Sequence, residues 1–152
     1  MEKSLGNIFD VRSIKLNMDD KTKELALTEL IDSIAAIHPE CDRTELYTAL
    51  AEREEKMSTG IGNGIAIPHA NYKGIASMAG AIGISKQGID YGALDQKPIH
   101  IIFLFITNAK ADENHLNVLN QILKLVQSEG LALIKNAKTA EEIHAILSRV
   151  HL

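Results

Sequence analysis

The chain has 152 residues, 45% of them hydrophobic and 24% charged, with a formal charge of −4; this is the material of one globular domain with a proper core, and it excludes a disordered chain. No cluster of lysine and arginine offers a footprint for a phosphate backbone, so nucleic acid is not an expected partner. The single cysteine, Cys41, excludes an internal disulfide framework and fits a reducing compartment.

The N-terminal stretch MEKSLGNIFDVRS lacks the apolar core of a signal peptide. The longest apolar run, IIFLFI at 101–106, is far too short to cross a bilayer. A soluble, cytoplasmic protein with no direct membrane insertion is expected. No repeat, low-complexity tract or linker interrupts the chain, so residues 1–152 read as a single domain.

SIKLNM (13–18) reads as a first strand. A helix follows from Lys21 to about Ile37, with Leu27, Leu30, Ile31 and Ile34 on one stripe. His38-Pro39 ends it, because the residue before a proline is pushed out of the helical region. Asp42 with Glu45 resembles a capping box that opens a second helix over about 44–57. After a glycine-rich loop, Ile65 to Ile67 is a short strand. Gly80 to Ile84 and Ile99 to Ile106 are further strands, joined through a turn at KQGIDYGALDQKP. The last of these strands is apolar at nearly every position, as for a strand covered on both faces. Helices from Asp112 to Ser128, Leu131 to Asn136 and Thr139 to Val150 close the chain, the last with a capping box at Thr139 and Glu142. The fold class is therefore α/β, a buried sheet flanked by helices in layers.

The segment REEKMSTGIGNGIAIPHANYKG (53–74) carries most of the chemistry. Its glycines do not form a nucleotide loop. No Gly-Lys-Ser/Thr follows, and the order helix, loop, strand reverses that of a dinucleotide fingerprint. Pro68 fixes its own φ and forces Ile67 to be extended, so His69 is held at a rigid strand end. Small residues, Gly60, Gly62, Gly64, Ala66 and Ala70, are expected to clear space around it, and glycine backbones can turn N–H groups toward an anion. His69 is thus either a nucleophile toward phosphorus or a satisfied structural histidine.

Two further residues bear on that choice. Leu46, Leu50, Arg53 and Met57 share a helical stripe, so Arg53 either binds an anion or pairs with a nearby glutamate. His115 shares a stripe with Leu119, Ile122 and Val126 in the first turn of its helix. There the helix dipole favours a neutral ring able to donate a hydrogen bond, unless the residue is simply an ordinary first-turn histidine. His38 and Cys41 read as loop residues, since no further metal ligands lie at suitable spacing. His100, His144 and His151 read as structural or solvated, and the carboxylates of EREE as a solvated helix face.

REEKMSTGIGNGIAIPHA resembles the active-site signature of the type-2 enzyme IIA family of the bacterial phosphoenolpyruvate-dependent phosphotransferase system, its fructose, mannitol and nitrogen-related branch. The downstream ENHLNVLNQI and IDYGALDQKPIHIIFLFI are similar to the family as well, and the resemblance spans about residues 10–150. It implies a central mixed β-sheet of about five strands flanked by helices, with the active histidine at the sheet edge. It also implies His69 as the residue phosphorylated by the histidine-containing phosphocarrier protein, with His115 and Arg53 in support. Ser58, Thr59, Gly60, Gly62 and Asn63 are the expected phosphate-binding loop. The implied function is phosphoryl transfer onward to a IIB component during carbohydrate uptake; the alternative is a nitrogen-related regulatory protein that signals through its phosphorylation state. No metal or cofactor is expected.

Overall fold

The structure is a computed structural model that describes residues 3–56, 58–108 and 112–152, without the side chains of 112 and 113. The strands are β1 (Phe9–Lys15), β2 (Gly60–Gly62), β3 (Ile65–Ala66), β4 (His69–Asn71), β5 (Met78–Ile89) and β6 (Ile99–Thr107). The helices are α1 (Lys23–Ile37), α2 (Arg43–Lys56), α3 (Asp112–Val126), α4 (Gly130–Asn136) and α5 (Ala140–Ser148), and a 3-10 turn at Leu5–Asn7 precedes β1.

One six-stranded mixed sheet runs β1-β5-β6-β3-β2, with β4 also paired to β6. β1 lies parallel to β5, β5 antiparallel to β6, and both β3 and β4 parallel to β6. β6 is the central strand, and all its residues but His100 are buried. Its even-numbered side chains Ile102, Leu104 and Ile106 pack with α1 and α2 in one apolar cluster. Its odd-numbered Ile101, Phe103 and Phe105 pack with α3, α4 and α5 in another. Two helical layers therefore enclose the sheet, which is why its central strand needs no alternation of polar residues.

The first strand lies earlier than expected, over Phe9–Lys15 rather than 13–18. Phe9 and Ile14 face inward while Asp10 and Arg12 pair with each other outside, so the charges of FDVRSIK mark an outward face and do not end the strand. β5 extends to Ile89, well into the segment assigned to a turn, because the chain bulges between Ile84 and Ile89 and then resumes pairing with Ile99.

Both helix caps form with a variation. The Glu45 N–H donates to Asp42 Oδ1 (3.0 Å). The return arm passes through a third residue, with the Asp42 N–H donating to the Tyr72 hydroxyl (3.1 Å) and that hydroxyl donating to Glu45 Oε2 (3.2 Å). The start of α2 is thereby tied to the residue just beyond β4. At α5 the Glu142 N–H donates to Thr139 Oγ1 (3.1 Å), and Glu142 Oε2 accepts from the backbone of Lys138 (2.9 Å).

Candidate active site

Ile65 lies opposite Ile101 and Ala66 opposite Ile102; beyond the break, His69 lies opposite Phe105 and Asn71 opposite Thr107. The register is the same on both sides of Pro68, so β3 and β4 are one strand interrupted where a proline has no N–H to give. The interruption is bridged, because the Phe105 N–H donates to the Pro68 carbonyl (3.0 Å). His69 is therefore the first residue of a resumed edge strand and not, as the sequence suggested, the last residue of a finished one. Its backbone is held by the sheet itself.

Because side chains alternate along a strand, His69 and Asn71 share one face of β4, and Phe105 and Thr107 share that face of β6. The His69 ring stacks on Phe105, with centroids 5.3 Å apart and planes within 11°. His115, from the first turn of α3, closes the group from above: its ring centroid is 5.0 Å from His69 and 5.0 Å from Phe105. Two aromatic rings, Phe105 and His115, therefore flank the imidazole. The glycines lie elsewhere: a Cβ added at Gly64 would meet His100, and one at Gly62 would find only Asp95 within 4 Å.

His69 Nδ1 is 2.6 Å from the Ile67 carbonyl oxygen. A carbonyl only accepts, so Nδ1 carries the proton and Nε2 holds the lone pair of the neutral ring. Among the described residues nothing hydrogen-bonds to Nε2. Burial holds the His69 pKa below the ordinary histidine value and the nearby Arg53 charge lowers it further, against the upward pull of the Ile67 bond and of Glu54. The result is a neutral, half-buried imidazole with its nucleophilic nitrogen available.

Of the residues singled out from the sequence, His69 and His115 come into direct ring contact, and Arg53 is near enough to act on His69 through its charge. Arg53 is half-buried in the last turn of α2. The buried stripe of that helix continues from Leu46 and Leu50 to Glu54, not to Arg53; Met57, the other expected member, lies outside the described residues. Glu54 therefore corrects the reading of EREE as a wholly solvated face. Its carboxylate takes an ion pair from Lys23 (2.7 Å), the Thr59 N–H (3.2 Å), the Tyr91 hydroxyl (3.1 Å) and the Thr59 hydroxyl. Lys23 also lies over the Tyr91 ring, 4.6 Å from its centroid.

This cluster fixes the loop of Ser58, Thr59, Gly60, Gly62 and Asn63. The Thr59 N–H goes to Glu54, the Gly60 N–H to Ser58 Oγ (3.2 Å), and Gly60–Gly62 pairs as β2 with β3. Gly62, Asn63 and Gly64 all take positive φ, which is the reason for two glycines and an asparagine in the turn between these strands. Two of the remaining histidines make local hydrogen bonds. The ring of His100 donates to the Ser85 carbonyl (2.9 Å) and that of His144 to the Gly6 carbonyl (2.9 Å). Cys41 is buried, which raises its pKa to about 11.

Sequence reasoning missed Phe105, Asn71 and Thr107 around the histidines, and Lys23, Glu54 and Tyr91 around the loop. The period-two spacing of His69 and Asn71 was available as a signal once the strand was known to continue. So was the position of Glu54, four residues beyond Leu50. Residues 7–150 match the family model for the phosphoenolpyruvate-dependent sugar phosphotransferase system, EIIA 2.

The chain belongs to this EIIA family.

Among its relatives are a fructose-specific EIIABC component of Bacillus subtilis, 35% identical, of which the chain spans only 23% while 97% of the chain is matched. A fructose-specific EIIA component of Haloferax volcanii is 30% identical, with 96% of each chain covered. A nitrogen regulatory protein of Pseudomonas aeruginosa is 32% identical over 87% of this chain and 86% of its own. Among solved structures, the nitrogen regulatory protein IIA-Ntr of Neisseria meningitidis superposes with a TM-score of 0.87 at 27% identity, covering 94% of this chain and 98% of that one. The EIIA fold is shared with the Escherichia coli mannitol enzyme IIA solved in complex with phosphorylated IIB, at a TM-score of 0.76 and 16% identity, covering 92% of this chain and 98% of that one. No helix among the described residues of this EIIA chain is long and apolar enough to cross a membrane.

Proposed function

We propose that the chain is a phosphoryl carrier that accepts a phosphoryl group on His69 Nε2 from the histidine-containing phosphocarrier protein and passes it to a IIB component during carbohydrate uptake. The observation that carries this reading is the Nδ1–H bond from His69 to the Ile67 carbonyl, which makes Nε2 the nucleophile. In the transfer, the N–P bond on the carrier's phosphohistidine breaks, and its electron pair stays with the carrier's ring. A new bond forms from His69 Nε2 to phosphorus. The Nδ1 proton stays in place, so the phosphorylated ring carries positive charge, which the Ile67 carbonyl stabilises.

Arg53 and His115 supply charge and hydrogen bonding to the phosphoryl oxygens. Such a transfer depends on positioning and charge stabilisation more than on proton transfer. Phe105 holds the His69 ring in one plane by stacking, which limits the orientations Nε2 can sample. Family membership and the fructose-specific relatives support the reading, and the IIB partner draws support from the mannitol enzyme complex of the same fold.

The test is incubation with phosphoenolpyruvate, enzyme I and the phosphocarrier protein, followed by intact mass measurement. One acid-labile phosphoryl group is expected on the wild type and none on His69→Ala. No transfer, or transfer that survives His69→Ala, refutes the assignment.

The similarity to nitrogen regulatory proteins favours a second reading, in which the phosphorylation state of His69 switches binding to another protein. A doubly charged group added at a protein surface alters docking directly. Pull-downs with wild type, His69→Ala and His69→Asp separate the two: identical partner sets would remove the regulatory reading.

A further inference from the structure

Thr107 is fully buried at the end of β6. Its hydroxyl donates to Asn71 Oδ1 (3.0 Å) and lies 2.7 Å from His115 Nδ1. A threonine hydroxyl has one proton, and here it is committed to Asn71. The bond to His115 must then run the other way, with Nδ1–H donating to the Thr107 oxygen. We propose that Asn71 and Thr107 are positioning residues for the phosphoryl-transfer site: their hydrogen-bond chain holds the His115 proton on Nδ1 and fixes the ring, so that Nε2 faces the phosphoryl group and donates to its oxygens once the ring takes up a second proton. The proposal rests on the phosphoryl-carrier reading of the preceding section.

The cross-strand register makes the chain possible. Asn71 and Thr107 are direct partners, two residues beyond the His69–Phe105 pair and on the same face. The strand pair that mounts the nucleophile thus also mounts the support for the second histidine. The Thr107 acceptor opposes a half-turn of the His115 ring about χ2, which would exchange Nδ1 with a carbon and Nε2 with Cε1. It also opposes a shift of the ring proton to Nε2. With the acceptor in place, Nε2 stays opposite Thr107, holding a lone pair in the neutral ring and a proton in the charged one. Residues that fix a tautomer through the far nitrogen in this way act on chemistry they do not touch.

Nitrogen-15 NMR of the histidine rings, recorded on the unphosphorylated protein, reads the tautomer directly. Wild type is expected to show His115 as Nδ1–H. Asn71 is exposed, so Asn71→Ala leaves the core untouched; it frees the Thr107 proton to turn toward His115 and should invert the tautomer to Nε2–H. Thr107→Val removes the acceptor at nearly constant volume and should slow phosphoryl acceptance from the phosphocarrier protein roughly tenfold, the scale of one hydrogen bond. Thr107→Ser should restore both rate and tautomer.

An Nε2–H tautomer in the wild type overturns the proposal. So does an unchanged tautomer in Asn71→Ala, or a transfer rate in Thr107→Val equal to the wild type's. If Thr107→Val does not fold, Asn71→Ala and Thr107→Ser decide the matter. A wild type that accepts no phosphoryl group would refute the carrier reading, while the NMR measurement would still decide the hydrogen-bond chain.

Discussion

The two faces of the sheet carry two polar clusters of opposite design. On the α1–α2 face, the Glu54 carboxylate is surrounded by donors from Lys23, Thr59 and Tyr91. On the α3 face, His69 gives Nδ1 to a carbonyl and keeps Nε2 unbonded among the described residues. The first cluster is satisfied and therefore structural, since a carboxylate with four donors has no capacity left for a reactant. The second is half-satisfied in a controlled way: one nitrogen fixes the ring and the other remains for chemistry. Burial alone does not separate a site from a scaffold. The direction in which the spare hydrogen-bonding capacity points does.

The sharpest way to break this comparison is to unbuild the satisfied side. Glu54→Ala leaves the Lys23 ammonium, the Thr59 N–H and the Tyr91 hydroxyl without their common acceptor. Breaking a buried ion pair costs about 3–5 kcal/mol. Because the Lys23 side chain keeps 20% exposure and can reach water, we expect the lower end of that range, about 3 kcal/mol. Urea unfolding reads this as a lower midpoint with the same slope. A variant that keeps wild-type stability yet loses phosphoryl acceptance would place Glu54 in the chemistry and erase the distinction between the faces.

A smaller effect tests the reactive side. Burial lowers the His69 pKa below the ordinary value of 6.5. Between the folded value and 6.5 the unfolded chain binds more protons than the folded one, so stability from this residue is present above that window and is lost as pH falls through it. In an NMR titration the His69 ring should show a midpoint below 6.5. A midpoint at or above that value would mean that the ring is not the neutral nucleophile the geometry implies.

The legibility of these two clusters in the sequence differed for a physical reason. The helices, the central strand and the histidine pair were readable, because periodicity, proline and a long motif are local signals. His115 was assigned an inward face from its stripe with Leu119, Ile122 and Val126, and its ring does lie against His69. What the sequence could not supply was cross-strand register. Phe105 becomes a neighbour of His69 only through pairing of β4 with β6, some 36 residues apart. The continuation of the strand past Pro68 was hidden for the same reason, since a proline looks like an end until the partner strand is known. Glu54 was misread because a glutamate among charged neighbours resembles a solvated face. Its partners Lys23 and Tyr91 lie 31 and 37 residues away.

The smallest expected effect comes from a third polar environment, a second carboxylate intermediate between the two. Glu29 on α1 is half-buried beside Asp20, whose buried Oδ2 meets no donor among the described residues. Desolvation, with the Asp20 carboxyl second, raises the Glu29 pKa to about 7. Where Glu54 meets donors, Glu29 meets another acceptor, and a shared proton joins the two carboxyls against the opposing charge of Lys15. From the ordinary value of 4.5 up to about 7, the folded chain holds more protons than the unfolded one, so stability from Glu29 falls as pH rises through that range. Glu29→Gln mimics the protonated carboxyl. It should match the wild type near the bottom of the window and exceed it above the top, by on the order of 1 kcal/mol after allowance for solvent screening. Urea midpoints at about pH 5 and about pH 8 measure both limits. A difference between variant and wild type that does not change with pH would show that Glu29 stays ionised beside Asp20, and that an unmet acceptor on this fold can persist without taking up a proton.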